Sequence, residues 1–170
     1  MGLADILVPE LQQEASTTRR VIERIPADKF SWKACDKSNT IGWVVNHLAE
    51  IPGWVVGTFE NDIWDIHPAG GEPYQSPALA TTEAVLELFD ENVRSAVAAL
   101  SKVSDEDLKR TWSLASGGNV LLSCSKLDVM RYWVLNHSVH HRAILSVYMR
   151  LSGIPVPAIY GPSADEQPNF

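Results

Sequence analysis

The sequence predicts an all-α protein, a four-helix bundle with long connecting loops and one short β-hairpin. Four long segments place apolar residues at intervals of three and four, which is the spacing of one helical face. Polar stretches rich in proline and glycine separate those segments. A chain of 170 residues has room for one domain with a substantial core, so residues 1–170 are predicted to form a single domain.

The first two helices are bounded by proline and by a threonine. Apolar residues at helical spacing run over residues 3–25, and Pro26 ends that segment. Pro9 falls early in it, so the helix either starts near Pro9 or is kinked there. Thr40 suits the N-cap of the second helix, in which Pro52 predicts a kink or a break.

A long loop, a hairpin and two further helices complete the predicted bundle. Residues 61–80 contain three prolines and two adjacent glycines, and a loop of that length often covers a functional site. The third helix is predicted over residues 82–100, and the hairpin over 111–125. The last helix is predicted over residues 126–151, with Gly153 as its C-terminal cap.

Charge and cysteine content restrict the function classes. The net charge of −7 and the pI of about 5.1 argue against nucleic-acid binding and against a basic membrane-surface patch. The sequence shows neither the basic region and apolar run of a signal peptide nor a transmembrane segment, so a cytoplasmic protein is expected. Cys35 and Cys124 lie far apart, and free thiols are expected rather than a disulfide.

His137 and His141 are the most informative residues of the chain. They lie four residues apart, one helical turn, on a face where apolar residues are expected. Buried imidazoles need partners for their nitrogens, and a divalent metal ion is a natural one. The predicted inward face consists of Leu127, Met130, Val134, His137, His141, Ile144, Tyr148 and Leu151.

A third histidine extends this hypothesis. His47 also interrupts an apolar helical face, so three histidines from two helices could hold three corners of a tetrahedral ion and leave the fourth open. The alternative is that these histidines are hydrogen-bonded core residues without a metal. His140 could replace His141 as a ligand, although the spacing favours His141, and His67 is expected to be a solvated loop residue.

Other residues near the histidines are candidates for a pocket. Glu50 is expected on a solvated face. Alternatively, it could hydrogen-bond to a metal-binding histidine or act as a base. Arg142 is expected to pair with a surface carboxylate, with a substrate anion as the alternative. Trp54 and Trp133 are the tryptophans expected to border a cavity.

Four segments resemble the DinB-like metalloprotein family. They are Trp43–Ala49 in the second helix, His137–Arg142 and Tyr148–Leu151 in the last, and Tyr160–Glu166 in the tail. The resemblance implies a four-helix bundle, a homodimer and a three-histidine site for zinc, nickel or a related ion such as iron. Matched position by position, it implies His47, His137 and His141 as the ligands. Many members continue the His-His-Arg sequence with Gly-Gln, whereas Ala143 and Ile144 follow here.

The resemblance implies two classes of function. Some members are thiol-dependent S-transferases or isomerases, which leads to the hypothesis of a metal-dependent enzyme acting on a small molecule. In that hypothesis the ion activates water or a low-molecular-weight thiol as the nucleophile, in a transferase or hydrolase reaction. The alternative is a non-enzymatic metal-binding or stress-response bundle, because fold and metal site alone do not determine a reaction.

Overall fold

Four helical segments form the bundle, and the computed structural model describes residues 2–167. The first two bundle helices are α1 (Ala4–Ile22) and α2 (Ile41–Glu50), and the third is α4 (Thr82–Leu100). The fourth comprises α6 (Lys126–Asp128), a π-helical segment (Val129–Asn136) and α7 (His137–Ser152). Both α1 and α2 contact both α4 and α7, which produces the four-helix arrangement.

Short elements lie between the bundle helices. They are 3-10 turns at Ala27–Lys29 and Ile51–Gly53, helices α3 (Trp54–Glu60) and α5 (Asp105–Lys109), and strands β1 (Ile63–Asp65), β2 (Thr111–Ser116) and β3 (Asn119–Ser125). The break predicted at Pro52 is the second 3-10 turn, since proline there interrupts the helical hydrogen bonding between α2 and α3. The Thr40 hydroxyl accepts from Trp43 N, as predicted for an N-cap.

The prediction of an all-α protein was wrong in one respect. The hairpin of β2 and β3 is present, and β1 pairs in parallel with β2 to give a three-stranded sheet. Gly117 and Gly118 form the hairpin turn with positive φ, a conformation that favours glycine. Because β1 has only three residues, it carries too little pattern to be recognised within the loop over residues 61–80.

The last helix differs from its predicted packing. Leu151 was predicted to face inward, but it is 63% exposed, whereas Leu145 and Met149 are fully buried. Within α7 the buried face includes His141, Leu145 and Met149, at intervals of four residues. Because an α-helix has about 3.6 residues per turn, Leu151 lies about half a turn from Met149 and therefore on the exposed side.

Two apolar clusters form the core. One joins α1, α2, α4 and the end of α7, and the other joins the start of α1, α3 and the end of α4 with the π-helical segment. Cys35 and Cys124 are both free thiols, as expected. Within residues 2–167, no helix combines the length and the apolar character that a bilayer crossing requires.

The C-terminal cap of α7 depends on a left-handed backbone conformation, which a substitution can test. Gly153 has φ of 78° in the left-handed region, and its N–H closes the helix end. We expect Gly153→Ala to lower the free energy of unfolding by about 1 kcal/mol, measured by urea denaturation. Gly57→Ala is the control, because Gly57 lies in α3 with open space around its Cα and should be neutral or stabilising. An unchanged Gly153→Ala midpoint would contradict the cap assignment.

Candidate metal centre

The fold brings His47, His137 and His141 together. One ring nitrogen from each lies within 4.8 Å of the others. The Nε2 atoms of His47 and His137 are 2.9 Å apart, and the His141 ring lies 4.4 Å from that of His137 and 4.5 Å from that of His47, between centroids. These are the three histidines that the sequence indicated, and α2 and α7 hold them against each other.

Each histidine is positioned by its own helix. His47 lies on α2, where the Trp43 ring stacks on it at 4.7 Å. His137 is the first residue of α7, directly after the π-helical segment, and His141 follows one turn later. π-Helical segments are often found at functional sites, where they turn side chains away from the regular helical spacing.

Glu50 supports His47 from behind. It is only 5% exposed, and its Oε1 lies 2.5 Å from Nδ1 of His47. An Nδ1–H donated to a carboxylate leaves Nε2 as the free lone pair, which is the usual way a protein orients a metal-binding histidine. The expectation that Glu50 lies on a solvated face was therefore wrong, because the loop over residues 61–80 covers it.

That loop reaches the site through two hydroxyl groups. Tyr74 donates to Oε2 of Glu50, and Ser76 donates to Oε1 at 3.1 Å. Burial and the hydrogen bond to Glu50 raise the pKa of Tyr74 to about 12, so its hydroxyl stays a donor. Asn46 fixes the end of the loop through two hydrogen bonds with the backbone of Leu79, both at 2.9 Å.

Burial keeps two of the histidines neutral. Desolvation, with smaller contributions from His47 and His140, lowers the pKa of His137 to about 4. Desolvation and the neighbouring histidines lower the pKa of His141 to about 3. A neutral imidazole is the metal-binding form, so both are ready to bind an ion at neutral pH.

His141 also has a ring nitrogen without a partner. Its Nδ1 is buried and forms no hydrogen bond with any group of residues 2–167. An unsatisfied buried nitrogen is costly, and a bound ion shared by the three rings would offset that cost. Together with the converging neutral imidazoles, this orphaned atom fits a divalent ion such as zinc.

A cavity of about 250 Å³ opens beside the site. His47, His137, Trp54 and Trp133 contribute to its wall, so both tryptophans expected at a cavity are there. Sequence reasoning missed other members of the wall: Trp64, Tyr74 and Ser76 from the loop, and Trp112 from β2. A tryptophan or tyrosine in a loop or a short strand has no periodic pattern that would distinguish it from a core residue.

The remaining candidates lie outside the cluster. His140 is exposed, with its ring 4.9 Å from that of His141, and so flanks the site. His67 is an exposed loop residue whose ring lies 3.2 Å from the Ser116 hydroxyl, as expected.

Arg142 differs from its prediction. It pairs with Glu14 at 2.6 Å, but it is only 1% exposed and so does not form a surface ion pair. Thr18 at 3.0 Å and the Tyr160 hydroxyl complete its contacts, so its guanidinium is directed away from the histidines into the contact with α1 and the tail.

Comparison with known proteins agrees with this architecture. The model of the DinB family matches residues 3–169. YrdA of Bacillus subtilis strain 168, an uncharacterised protein, is 24% identical over 162 residues, which cover 92% of this chain and 87% of YrdA.

Two solved structures share the fold. A DinB-like protein from Bacillus cereus ATCC 10987 has a TM-score of 0.67 at 19% identity, covering 91% of this chain and 95% of its own. YfiT from Bacillus subtilis, described as a probable metal-dependent hydrolase with an unusual four-helix bundle topology, has a TM-score of 0.67 at 21% identity. That match covers 88% of this chain and 87% of YfiT.

The lowered histidine pKa values predict how the metal-free protein responds to acid. Between pH 6.5 and about 4, His137 and His141 are protonated in the unfolded chain but neutral in the folded protein. The free energy of unfolding therefore decreases as pH falls through that range. From pH 7.5 to 5.5 we expect a loss of roughly 1 kcal/mol per histidine, measured by urea denaturation in chelator.

The control is the double variant His137→Gln/His141→Gln, which removes both titrations. Its stability should change less with pH than that of the parent over the same range. Equal slopes for the two proteins would show that these histidines are not held neutral by the fold.

Proposed function

The chain belongs to the DinB family, and from its cluster of three histidines we propose that it is a divalent-metal-dependent enzyme. His47, His137 and His141 would bind the ion, with zinc as the first expectation and nickel or iron as alternatives. The proposed reaction is hydrolysis or thiol S-transfer on a small molecule. YfiT, the relative described as a probable metal-dependent hydrolase, supports the first of these.

The observation that carries the proposal is the position of the cavity. His47 and His137 form part of its wall, so a substrate in that space would lie directly against the proposed ligands. A purely structural site is normally closed by four protein ligands, whereas a catalytic site keeps a position for water or substrate. Among residues 2–167, the histidine cluster offers three ligand atoms, so the fourth position of a tetrahedral ion would stay open for water or substrate.

The chain's own residues would have distinct roles. When bound, the ion would supply Lewis acidity and lower the pKa of a water or thiol at the open position, creating a nucleophile at neutral pH. Glu50 orients His47 by accepting its Nδ1–H, and the hydroxyls of Tyr74 and Ser76 hold that carboxylate in place. The tryptophans of the wall make the cavity largely apolar, and an apolar wall would strengthen electrostatic interactions beside the ion.

The alternative is a non-enzymatic metal-binding or stress-response bundle, in which the ion only stabilises the fold. It requires that loss of the ion unfold the protein. A bundle with two buried apolar clusters should instead fold without an ion, unlike a zinc finger.

Ligand variants test the metal site. Replacing any one of His47, His137 or His141 with Ala should abolish stoichiometric metal binding, measured by elemental analysis and calorimetry on protein without a histidine tag. Glu50→Gln should keep the ion but weaken its affinity by about 10–100-fold, because the carboxylate acts on His47 rather than on the ion. His140→Ala and His67→Ala are the controls, and both should bind like the parent. Full binding by His141→Ala together with loss in His140→Ala would reassign the third ligand.

A second test separates the enzyme from the structural metal protein. We expect His137→Ala to remain helical with a cooperative thermal transition, while losing metal-dependent turnover in a screen of esters and of thiols with electrophiles. Circular dichroism during a chelator titration of the parent provides the comparison. Cooperative unfolding at the chelator concentration that just removes the ion would support the structural alternative.

We also propose that the protein is a homodimer. On the outer face of α7, Ala143, Val147 and Leu151 are exposed at successive intervals of four residues, with Val147 at 57% and Leu151 at 63%. Such an apolar helical face suits contact with a second copy. Light scattering should give twice the chain mass, and Leu151→Glu should shift it toward the monomer. A parent protein that stays monomeric at micromolar concentration would refute the proposal.

A further inference from the structure

The cavity at the histidines continues into a larger one. The inner cavity has a volume of about 250 Å³, and the outer cavity has about 520 Å³. Glu50, Trp54, Thr58, Trp64, Tyr74 and Trp112 contribute to both walls. The two therefore form adjoining compartments of one binding space, with the histidines at its inner end.

Aromatic rings dominate the shared wall. The rings of Trp64 and Tyr74 meet edge to face at 4.8 Å, and those of Trp54 and Trp64 lie 6.3 Å apart, inclined at 54°. Trp133 adds a further ring at the inner end, 6.1 Å from His137. Rings inclined to one another in this way offer both faces and edges, the two surfaces that another aromatic ring prefers to contact.

The binding space contains little charge. Among the described residues that line either cavity there is no Lys or Arg, and the only carboxylate is Glu50. That carboxylate already accepts from His47, Tyr74 and Ser76, so its oxygens are engaged within the protein. A charged ligand would lose its hydration here without gaining an ionic partner from the wall.

Two polar atoms of the wall are left without a partner. The indole Nε1 atoms of Trp54 and Trp112 are buried, and neither has a hydrogen-bond partner among residues 2–167. An unpaired buried donor is costly, and an acceptor oxygen on a ligand would relieve that cost. The outer cavity adds the amide side chains of Asn61, Gln75 and Asn92.

We propose that the substrate presents an uncharged aromatic group to the histidine site, in the inner cavity, with a neutral hydrogen-bond acceptor beside the ring. The inner volume is sufficient, because an apolar cavity of about 150 Å³ already binds benzene. A neutral, polar remainder of the molecule occupies the outer cavity, against the amide side chains. This proposal rests on the proposed function, since it takes the histidines as the reacting end of the site.

Three probes that share one benzyl group test the proposal. They are benzyl methyl sulfone, which is neutral, phenylmethanesulfonate, an anion, and benzyltrimethylammonium, a cation. Calorimetric titrations of the chelator-treated full chain should show the sulfone binding roughly tenfold or more tightly than either ion, because the wall itself offers no ionic partner. A charged probe that binds as tightly as the sulfone, or a sulfone that does not bind at millimolar concentration, overturns the proposal.

A fourth probe separates aromatic recognition from general apolar binding. The cyclohexylmethyl analogue of the sulfone has the same acceptor oxygens and a similar volume, but no π-face. It should bind several-fold more weakly than the benzyl compound, because contacts between aromatic rings stabilise binding beyond the area that they bury. Equal binding of the two sulfones overturns the aromatic assignment.

Variants locate the binding in the cavity. Trp112→Leu removes the ring and its unpaired donor, and Leu122→Trp fills the inner cavity from a partly exposed position on β3, which keeps the test valid if Trp112→Leu folds poorly. Each should weaken sulfone binding by roughly tenfold or more. Trp32→Leu is the control, since Trp32 packs against Tyr148 away from both cavities, and its binding should be unchanged. A Trp32→Leu loss equal to that of Leu122→Trp places the probe elsewhere and overturns the proposal.

The two proposals can fail separately. Sulfone binding by the chelator-treated chain depends on the cavity alone, whereas metal uptake depends on the histidines alone. Sulfone binding without stoichiometric metal uptake would therefore refute the proposed enzyme and leave the binding specificity intact. Metal uptake without sulfone binding would refute the proposed binding specificity and leave the proposed metal-dependent enzyme intact.

Discussion

The carboxylate of Glu50 holds the parts of the site together. It is buried at the end of α2, where an unpaired charge would be strongly unfavourable. His47 satisfies it from the same helix, and Tyr74 and Ser76 satisfy it from the loop over residues 61–80. One buried acceptor thus orients a histidine of the cluster and also fixes the loop that covers it.

A second buried polar network supports the cluster from the opposite side. Arg142 follows His141 directly in α7, and its guanidinium bonds to Glu14 and Thr18 of α1 and to Tyr160 of the tail. Breaking a buried pair of this kind typically costs several kcal/mol, so the ion pair fixes the rotation of α7 about its axis. Because His137 and His141 share that helix, the Arg142 contacts set the direction in which both imidazoles point.

The sequence was sufficient for the bundle and the histidine cluster, because both depend on helical periodicity. His47 and His141 were recognisable as polar interruptions of apolar faces. Periodicity was less accurate at the end of the last helix, where alternating intervals of three and four placed Leu151 inward, although the buried face of α7 includes His141, Leu145 and Met149. It also fails for contacts between segments distant in sequence. Tyr74, in a loop, buries Glu50 and so reverses the expectation of a solvated carboxylate.

We propose that three imidazole nitrogens, from His47, His137 and His141, share one divalent ion next to an aromatic cavity. Anomalous diffraction at the absorption edge of the bound metal, on crystals of the tag-free protein, would locate that ion. We expect one anomalous peak per chain, about 2.0–2.2 Å from a nitrogen of each of the three rings if the metal is zinc, with the remaining coordination position facing the cavity. A peak ligated by His140 in place of His141, a fourth protein ligand that closes the site, or no peak in metal-loaded crystals would contradict it.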